Sequence, residues 1–108
     1  MTVENLIKNE NFTPLVISDP SREIDGVYCG DLLSWVMGRA QEDNAFVTIM
    51  TNINVIAVAS LVNVSTVILC ENSTPESAVL DAARDKGVNV IKTALPTYQA
   101  CVCLSELI

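Results

Sequence analysis

Apolar residues gather along this chain in short blocks, separated by longer stretches in which they recur at helical spacing. The blocks "PLVIS" (14–18), "FVTIM" (46–50), "STVILC" (65–70) and "NVIKT" (89–93) have strand length. Three of them are almost continuously apolar, as in strands covered on both faces. Helical patterns begin at Thr2, Asp31, Asn52, Pro75 and Pro96. This alternation predicts an α/β fold: a largely parallel sheet of about four to five strands with helices on both faces. No repeat, low-complexity segment or linker interrupts residues 1–108, which are expected to form a single domain. "SDPSREIDG" (18–26), rich in Pro, Ser, Asp and Gly, reads as a connecting loop.

Two helices carry their ends in the sequence. In "NSTPESAVLDAARDKG", Thr74 is placed as N-cap, Pro75 at the first helical position and Gly87 as terminator, with Val79, Leu80 and Ala83 inward. In "PTYQACVCLSELI", Pro96 opens a final helix on which Ala100, Cys103, Leu104, Leu107 and Ile108 share a face. The stretch "GVYCGDLLSWVMGRA" (26–40) is open to two interpretations. A helix start offers unpaired amide N–H groups and can bind phosphate. Asp31, however, directly precedes the stripe Leu32, Leu33, Val36, Met37 and Ala40, so its carboxylate is expected to cap those N–H groups itself. Neither a Gly-Lys-Ser/Thr ending nor a G-x-G-x-x-G pattern is present, and the cap is the favoured reading.

The helix "NINVIAVASLVNV" is apolar all round. Ile53, Ile56, Ala57, Ser60 and Leu61 share one face, while Val55, Val58, Ala59 and Val62 occupy the other. Such a helix must either be buried centrally or be covered by a second subunit, and from periodicity alone its β-branched content would also suit a strand. Trp35 falls off the stripe of its own helix, and tryptophan is favoured in interface cores. Together these patterns predict a homodimer with Trp35, Val55, Val58, Ala59 and Val62 at its interface.

The run "REIDGVYCGDLLSWVMGRAQEDNAFVTIMTNINVIAVASLVNVSTVILCEN", followed by an acidic helix ending at Gly87 and by "NVIKT" and "LPTYQA", resembles the small stand-alone branch of the DRTGG domain family. "GDLLS" (30–34) and "NVIAVASL" (54–61) carry the resemblance most specifically, and it extends from about residue 20 to the end. It implies a helix over 52–62 and a regulatory or dimerising role. Related domains precede phosphotransacetylases, lie within pyrophosphatases that carry CBS nucleotide-sensing domains, and form the N-terminal part of HPr kinase-like proteins, where catalysis belongs to other domains. Stand-alone relatives tend to be encoded beside hydrogenase and electron-transfer components, which implies an alternative role as a redox-accessory protein.

The residues that give the family its name are replaced. Thr51 and Asn52 stand where the Asp-Arg is expected, and Cys70, Glu71 and Asn72 where the Thr-Gly-Gly is expected. Both groups follow strands, and adjacent parallel strands would bring both to the carboxyl edge, where open α/β sheets bind ligands. Thr51, Asn52, Asn54, Glu71 and Asn72 are therefore candidate contacts for a small metabolite or nucleotide. Helix capping and turn formation are the structural alternative for the same residues.

Charge and chemistry narrow the field further. Thirteen acidic residues against six basic ones give a net charge of −7, which counts against nucleic acid as a partner. No apolar run reaches membrane-spanning length and the start lacks a signal-peptide pattern, so a cytoplasmic protein with no membrane contact is expected. Cys29, Cys70, Cys101 and Cys103 are then expected as free thiols, with Cys29 the most accessible. Cys101 and Cys103 point about 200° apart on a helix. With no C-x-x-C and no histidine, neither a metal site nor any other cofactor is expected. No general base or P-loop supports catalysis, so the chain is expected not to be an enzyme. Its expected partners are a second copy of itself, a small-molecule ligand and a partner protein.

Overall fold

The computed structural model describes residues 1–108. In chain order they form α1 (Val3–Leu6), β1 (Thr13–Val16), β2 (Gly26–Cys29), α2 (Leu33–Arg39), β3 (Asn44–Thr48), α3 (Ile53–Val62), β4 (Thr66–Leu69), α4 (Ser77–Lys86), β5 (Val90–Lys92) and α5 (Thr97–Leu107). The strands make one sheet in the order β1-β5-β4-β3-β2. Strands β2 to β5 are parallel, and β1 joins β5 antiparallel at one edge, so the sheet is mixed and mostly parallel. The parallel strands step across the sheet in one direction. Right-handed crossovers then place α2, α3 and α4 on the same face.

Strand alternation divides the core between the two faces. Phe46, Val67, Leu69 and Val90 pack with Val36, Val55, Val58 and Ala83 under α2, α3 and α4. Ala45, Val47, Ile68 and Ile91 point the other way, onto Val3, Leu6, Ala100 and Leu104 from α1 and α5. The near-continuous apolar runs follow from this double coverage. Strand β2, by contrast, was hidden in the sequence: it pairs with β3 from Gly26↔Asn44 to Cys29↔Val47. A four-residue edge strand with half-buried side chains has no apolar run to announce it. Pro14 is tolerated in β1 because that strand is also an edge.

The segment after β1, expected to be a loose loop, is tied down by a buried amide. Asn89 Oδ1 accepts from the backbone N–H groups of Ser18 and Asp19 at 2.8 and 2.9 Å. Its Nδ2 donates to the Asp19 and Ser65 carbonyls, both at 2.9 Å. Arg22 adds an ion pair to Asp43 at 2.9 Å.

Three sequence expectations need correction. First, Val55, Val58 and Ala59 are only 1%, 7% and 1% exposed and pack on this chain's own sheet, with Val62 half-buried against the same core. They cannot form a seam with a second subunit. The outward side of α3 carries Ile53, Asn54, Ala57, Ser60 and Leu61 instead. The cause is position: α3 lies between α2 and α4, so its flanks are covered as well as its base. Trp35 is 53% exposed, with the Arg39 guanidinium 3.9 Å from its ring centroid.

Second, Asp31 does not cap α2. Leu32 occupies the N-cap position and no side chain bonds the helix start. The Gly30 N–H continues the pairing with β3 by donating to the Val47 carbonyl at 3.1 Å. Asp31 is thereby delivered to the end of β3, where its Oδ1 accepts from Thr48 Oγ1 at 2.7 Å and from the Ile49 N–H at 3.0 Å. Of the stripe on α2, Val36 is buried, Leu33 and Ala40 are half-buried, and Leu32 and Met37 are exposed.

Third, α4 starts at Ser77 with Glu76 at the N-cap position, so Thr74 and Pro75 precede the helix. Gly87 ends it with φ +69°, a left-handed cap as expected. On α5, Ala100 and Leu104 are buried, but Leu107 and Ile108 are exposed and the inward stripe is narrower than its spacing implied.

Candidate functional site

Strands β3 and β4 are adjacent and parallel, in register from Ala45↔Thr66 to Thr48↔Leu69. Their carboxyl ends are therefore level, and residues 51–52 and 71–72 leave the sheet at the same edge. From there the two segments diverge. Asn52 turns into α3 as its N-cap, its Oδ1 accepting from the Asn54 N–H at 3.0 Å. Glu71 and Asn72 adopt φ of 60° and 57°, and their N–H groups donate to the carbonyls of Leu95 at 3.0 Å and Thr93 at 2.9 Å.

That turn explains one feature of the resemblance. The two positions at which the family pattern has glycine are the two that enter the left-handed region here. Glycine adopts such a conformation without steric cost, asparagine tolerates it, and a glutamate does so at a penalty. The turn is made here by Glu71 and Asn72 without a glycine.

A groove opens on the α3–α4 side of the edge. Thr51, Asn52 and Ile53 form one wall, while Thr74, Glu76, Ala78 and Val79 form the other. Its volume is about 550 Å³, within the range of small-molecule sites. Next to it, sharing Thr51, Asn52 and Val79, lies a separate apolar cavity of about 10 Å³ lined also by Met50, Val55, Leu69, Pro75 and Val90, too small to admit a ligand group. Lys92 reaches the rim of the groove, where Nζ donates to Thr74 Oγ1 at 2.9 Å. The rim thus offers two hydroxyls, one amide, one carboxylate and a neighbouring ammonium. This is a hydrogen-bonding surface, apolar only at Ile53, Ala78 and Val79, with no paired nucleophile and base.

Of the residues predicted to contact a ligand, Thr51 and Asn52 line this groove. Asn54, Glu71 and Asn72 are exposed and lie outside its walls. Thr74, Glu76 and Lys92 were missed. The first two read as a cap and a first helical turn, and only the late start of α4 frees them to face the groove. The polar run "ENSTPES" directly after a strand was the available signal.

The other side of the same edge holds thiols. All four cysteines are free: Cys70 is buried, Cys101 and Cys103 are half-buried, and Cys29 is exposed. Burial pushes the Cys70 thiol from 9.0 up to about 11, partly opposed by the Thr97 hydroxyl. Burial likewise lifts Cys101 to about 11, and the neighbouring Cys29 adds to the effect. No group of three or more His, Cys, Asp or Glu side chains is arranged to hold a metal ion. No helix is long and apolar enough to cross a membrane.

The sequence matches no family model and no curated protein. The fold is similar to a solved structure, the CBS and DRTGG domains of the regulatory region of Clostridium perfringens pyrophosphatase, complexed with the activator diadenosine tetraphosphate. The TM-score is 0.72 at 15% identity, over 92% of this chain. The chain spans 44% of the length of that structure. At this identity the likeness is one of fold, and it agrees with the resemblance to DRTGG domains carried by the sequence.

Proposed function

We propose that this chain is a non-catalytic regulatory module that senses a small metabolite or nucleotide at the carboxyl edge of its sheet, acts on a partner protein, and works as a homodimer. The observation that carries the ligand reading is the groove between the starts of α3 and α4, with Thr51, Asn52, Thr74 and Glu76 on its walls beside Ile53, Ala78 and Val79. The apolar side chains of Ile53, Ala78 and Val79 suit a planar ring, and the polar groups on both walls suit its substituents. Lys92 supplies a cation for an anionic group, while Glu76 disfavours a high density of negative charge nearby. The fold likeness to a regulatory region that binds a dinucleotide activator supports the same class of ligand.

A thermal-shift series with AMP, ATP and diadenosine tetraphosphate tests the reading. A ligand selective for the folded state stabilises by about 2.7 kcal/mol at a hundredfold excess over its Kd. A rise in melting temperature that Lys92→Gln and Thr51→Val both diminish is the expected result. No rise with any of the three at millimolar concentration would refute the nucleotide reading.

Support for self-association comes from apolar side chains left exposed on two adjacent helices: Leu32 and Trp35 on or beside α2, and Ile53 and Leu61 on α3. Sedimentation equilibrium at micromolar concentration should give the mass of two chains, falling to one in Leu61→Glu. A one-chain mass for the wild type would end that part of the proposal. The redox-accessory role remains the second reading, favoured by one observation, the neighbouring Cys29 and Cys101 thiols.

A further inference from the structure

Strand β2 ends at Cys29, which stands in register with Val47. Val47 belongs to the face of the sheet covered by α1 and α5, and Cys29 shares that face. Helix α5 lies across β2 and β3 on this side, with Ala100 and Leu104 turned into the core. Cys101 is one residue beyond Ala100, about 100° around the helix. That step carries it from the buried seam to the margin of β2. Cys29 and Cys101 consequently line the same shallow groove, floored by Val27 and flanked by Tyr98, Val102 and Ser105. Cys103 lies about 200° further round α5 and does not border the groove.

The two thiols differ in access. Cys29 is exposed and Cys101 half-buried, so an incoming reagent meets Cys29 first and finds Cys101 behind it. We propose that Cys29 and Cys101 form a thiol–disulfide exchange pair, in which Cys29 is the attacking residue and Cys101 the resolving one, toward small disulfides of the glutathione class. The Cys29 thiolate attacks one sulfur of the external disulfide, forming a mixed disulfide and releasing one small thiolate, which takes up a proton. Cys101 then loses its proton and attacks the Cys29 sulfur, closing the Cys29–Cys101 bond and releasing the second small thiol. Two protein thiols are oxidised and one external disulfide is reduced to two thiols.

Two physical features shape this chemistry. Exchange proceeds through the thiolate, so the raised Cys101 value of about 11 makes the closing step the slower one at neutral pH. The same burial disfavours the Cys101 thiolate in the reduced pair, and a dithiol whose reduced form is not stabilised as thiolate gives a disulfide that resists reduction. The closed bond joins α5 to the edge strand β2 and ties the last element of the fold to the sheet margin. This inference is independent of the ligand groove, which lies on the opposite face, and stands or falls separately from it.

Trypsin separates the sites, because cleavage at Arg22, Arg39, Arg84 and Lys92 puts Cys29, Cys70 and the Cys101/Cys103 pair on three different peptides. The reduced full chain is incubated with oxidised glutathione, its free thiols are alkylated, and the peptides are mapped by mass spectrometry. The expected product links residues 23–39 to residues 93–108, with fragmentation placing the bond at Cys101, while Cys70 and Cys103 are alkylated. Cys101→Ser should accumulate the glutathione adduct on Cys29, and Cys103→Ser should leave the link intact. A bond to Cys70 or Cys103, a mixed disulfide that never closes in the wild type, or four alkylated thiols after exposure would each overturn the proposal. The wild-type map is decisive even if a variant fails to fold.

Discussion

Asp31→Ala is the substitution on which the local account of the carboxyl edge can be tested most closely. The Asp31 carboxylate accepts from the Thr48 hydroxyl at 2.7 Å and from the Ile49 N–H at 3.0 Å. These two donors differ in what happens when the acceptor is lost. Ile49 is exposed, so water replaces the carboxylate at little cost. Thr48 is 1% exposed, and its hydroxyl is left in the interior without its acceptor, a loss of about 1–3 kcal/mol. We expect Asp31→Ala to cost about 2 kcal/mol, which for a chain of this size lowers the melting temperature by roughly 10 °C.

A double-mutant cycle with Thr48→Val separates this account from helix capping. Once the hydroxyl is gone, Asp31→Ala strands nothing, so its cost should shrink by about 1 kcal/mol in the Thr48→Val background. Urea unfolding of the four proteins measures each term. Asp31→Asn keeps an oxygen acceptor and should lose less than about 1 kcal/mol. Costs that add to within about 0.3 kcal/mol would show that Asp31 and Thr48 act independently, and the hydrogen bond would then explain nothing of the Asp31 effect.

Asn89→Ala breaks four hydrogen bonds to three residues and should destabilise by about 3 kcal/mol in urea unfolding, with early exchange of the Ser18 and Asp19 amides. Gly87→Ala should cost about 1 kcal/mol purely through its backbone, because φ is +69° and no atom lies within 4 Å of the added Cβ. Val58→Asp puts a carboxylate into the core and should unfold the chain or cost more than about 3 kcal/mol, whereas Leu61→Asp, at a site 70% exposed, should leave the chain folded; circular-dichroism spectra distinguish them. The Cys70 thiol holds its proton more tightly folded than unfolded, so its contribution is complete below pH 9.0 and is lost as pH rises toward about 11. Urea midpoints across that window should fall less steeply in Cys70→Ala than in the wild type.

What could be foreseen from the sequence depended on how local its cause was. Strands β3, β4 and β5 announce themselves because both faces are buried, and their residues are apolar in unbroken succession. Strand β2 is short, half-buried and at an edge, so its four residues look like the approach to a helix. Thr51 and Asn52 were identifiable because they follow a strand directly, and the sheet order does the rest. Thr74 and Glu76 were not, because their role depends on α4 starting two residues later than its Thr-Pro pair signals. Asp31 shows the same limit in a different form. A carboxylate before a helical stripe has an obvious local partner, but a hydroxyl 17 positions away competes for it, and only the pairing of β2 with β3 brings that hydroxyl near.

The two-sided apolarity of α3 is the most instructive case, because the physical premise was sound and the geometry supplied a different answer. A helix at the margin of a layer has one buried face, and a second apolar face on it calls for a partner. A helix in the centre of a layer meets the sheet below and a helix on either side, so three quadrants of its surface are interior before any second subunit is considered. In α3 this accounts for Val55, Ile56, Val58 and Ala59, all buried within one chain. The apolar part of what remains outside is the narrow line Ile53, Ala57 and Leu61, spaced four residues apart along the helix and therefore aligned on its crest, with Asn54 and Ser60 beside it. The seam proposed above differs in kind from the one expected from the wheel. It rests on Ala57 and Leu61 of the α3 crest together with Leu32 and Trp35 from the neighbouring helix region, while Ile53, at the start of α3, borders the ligand groove as well.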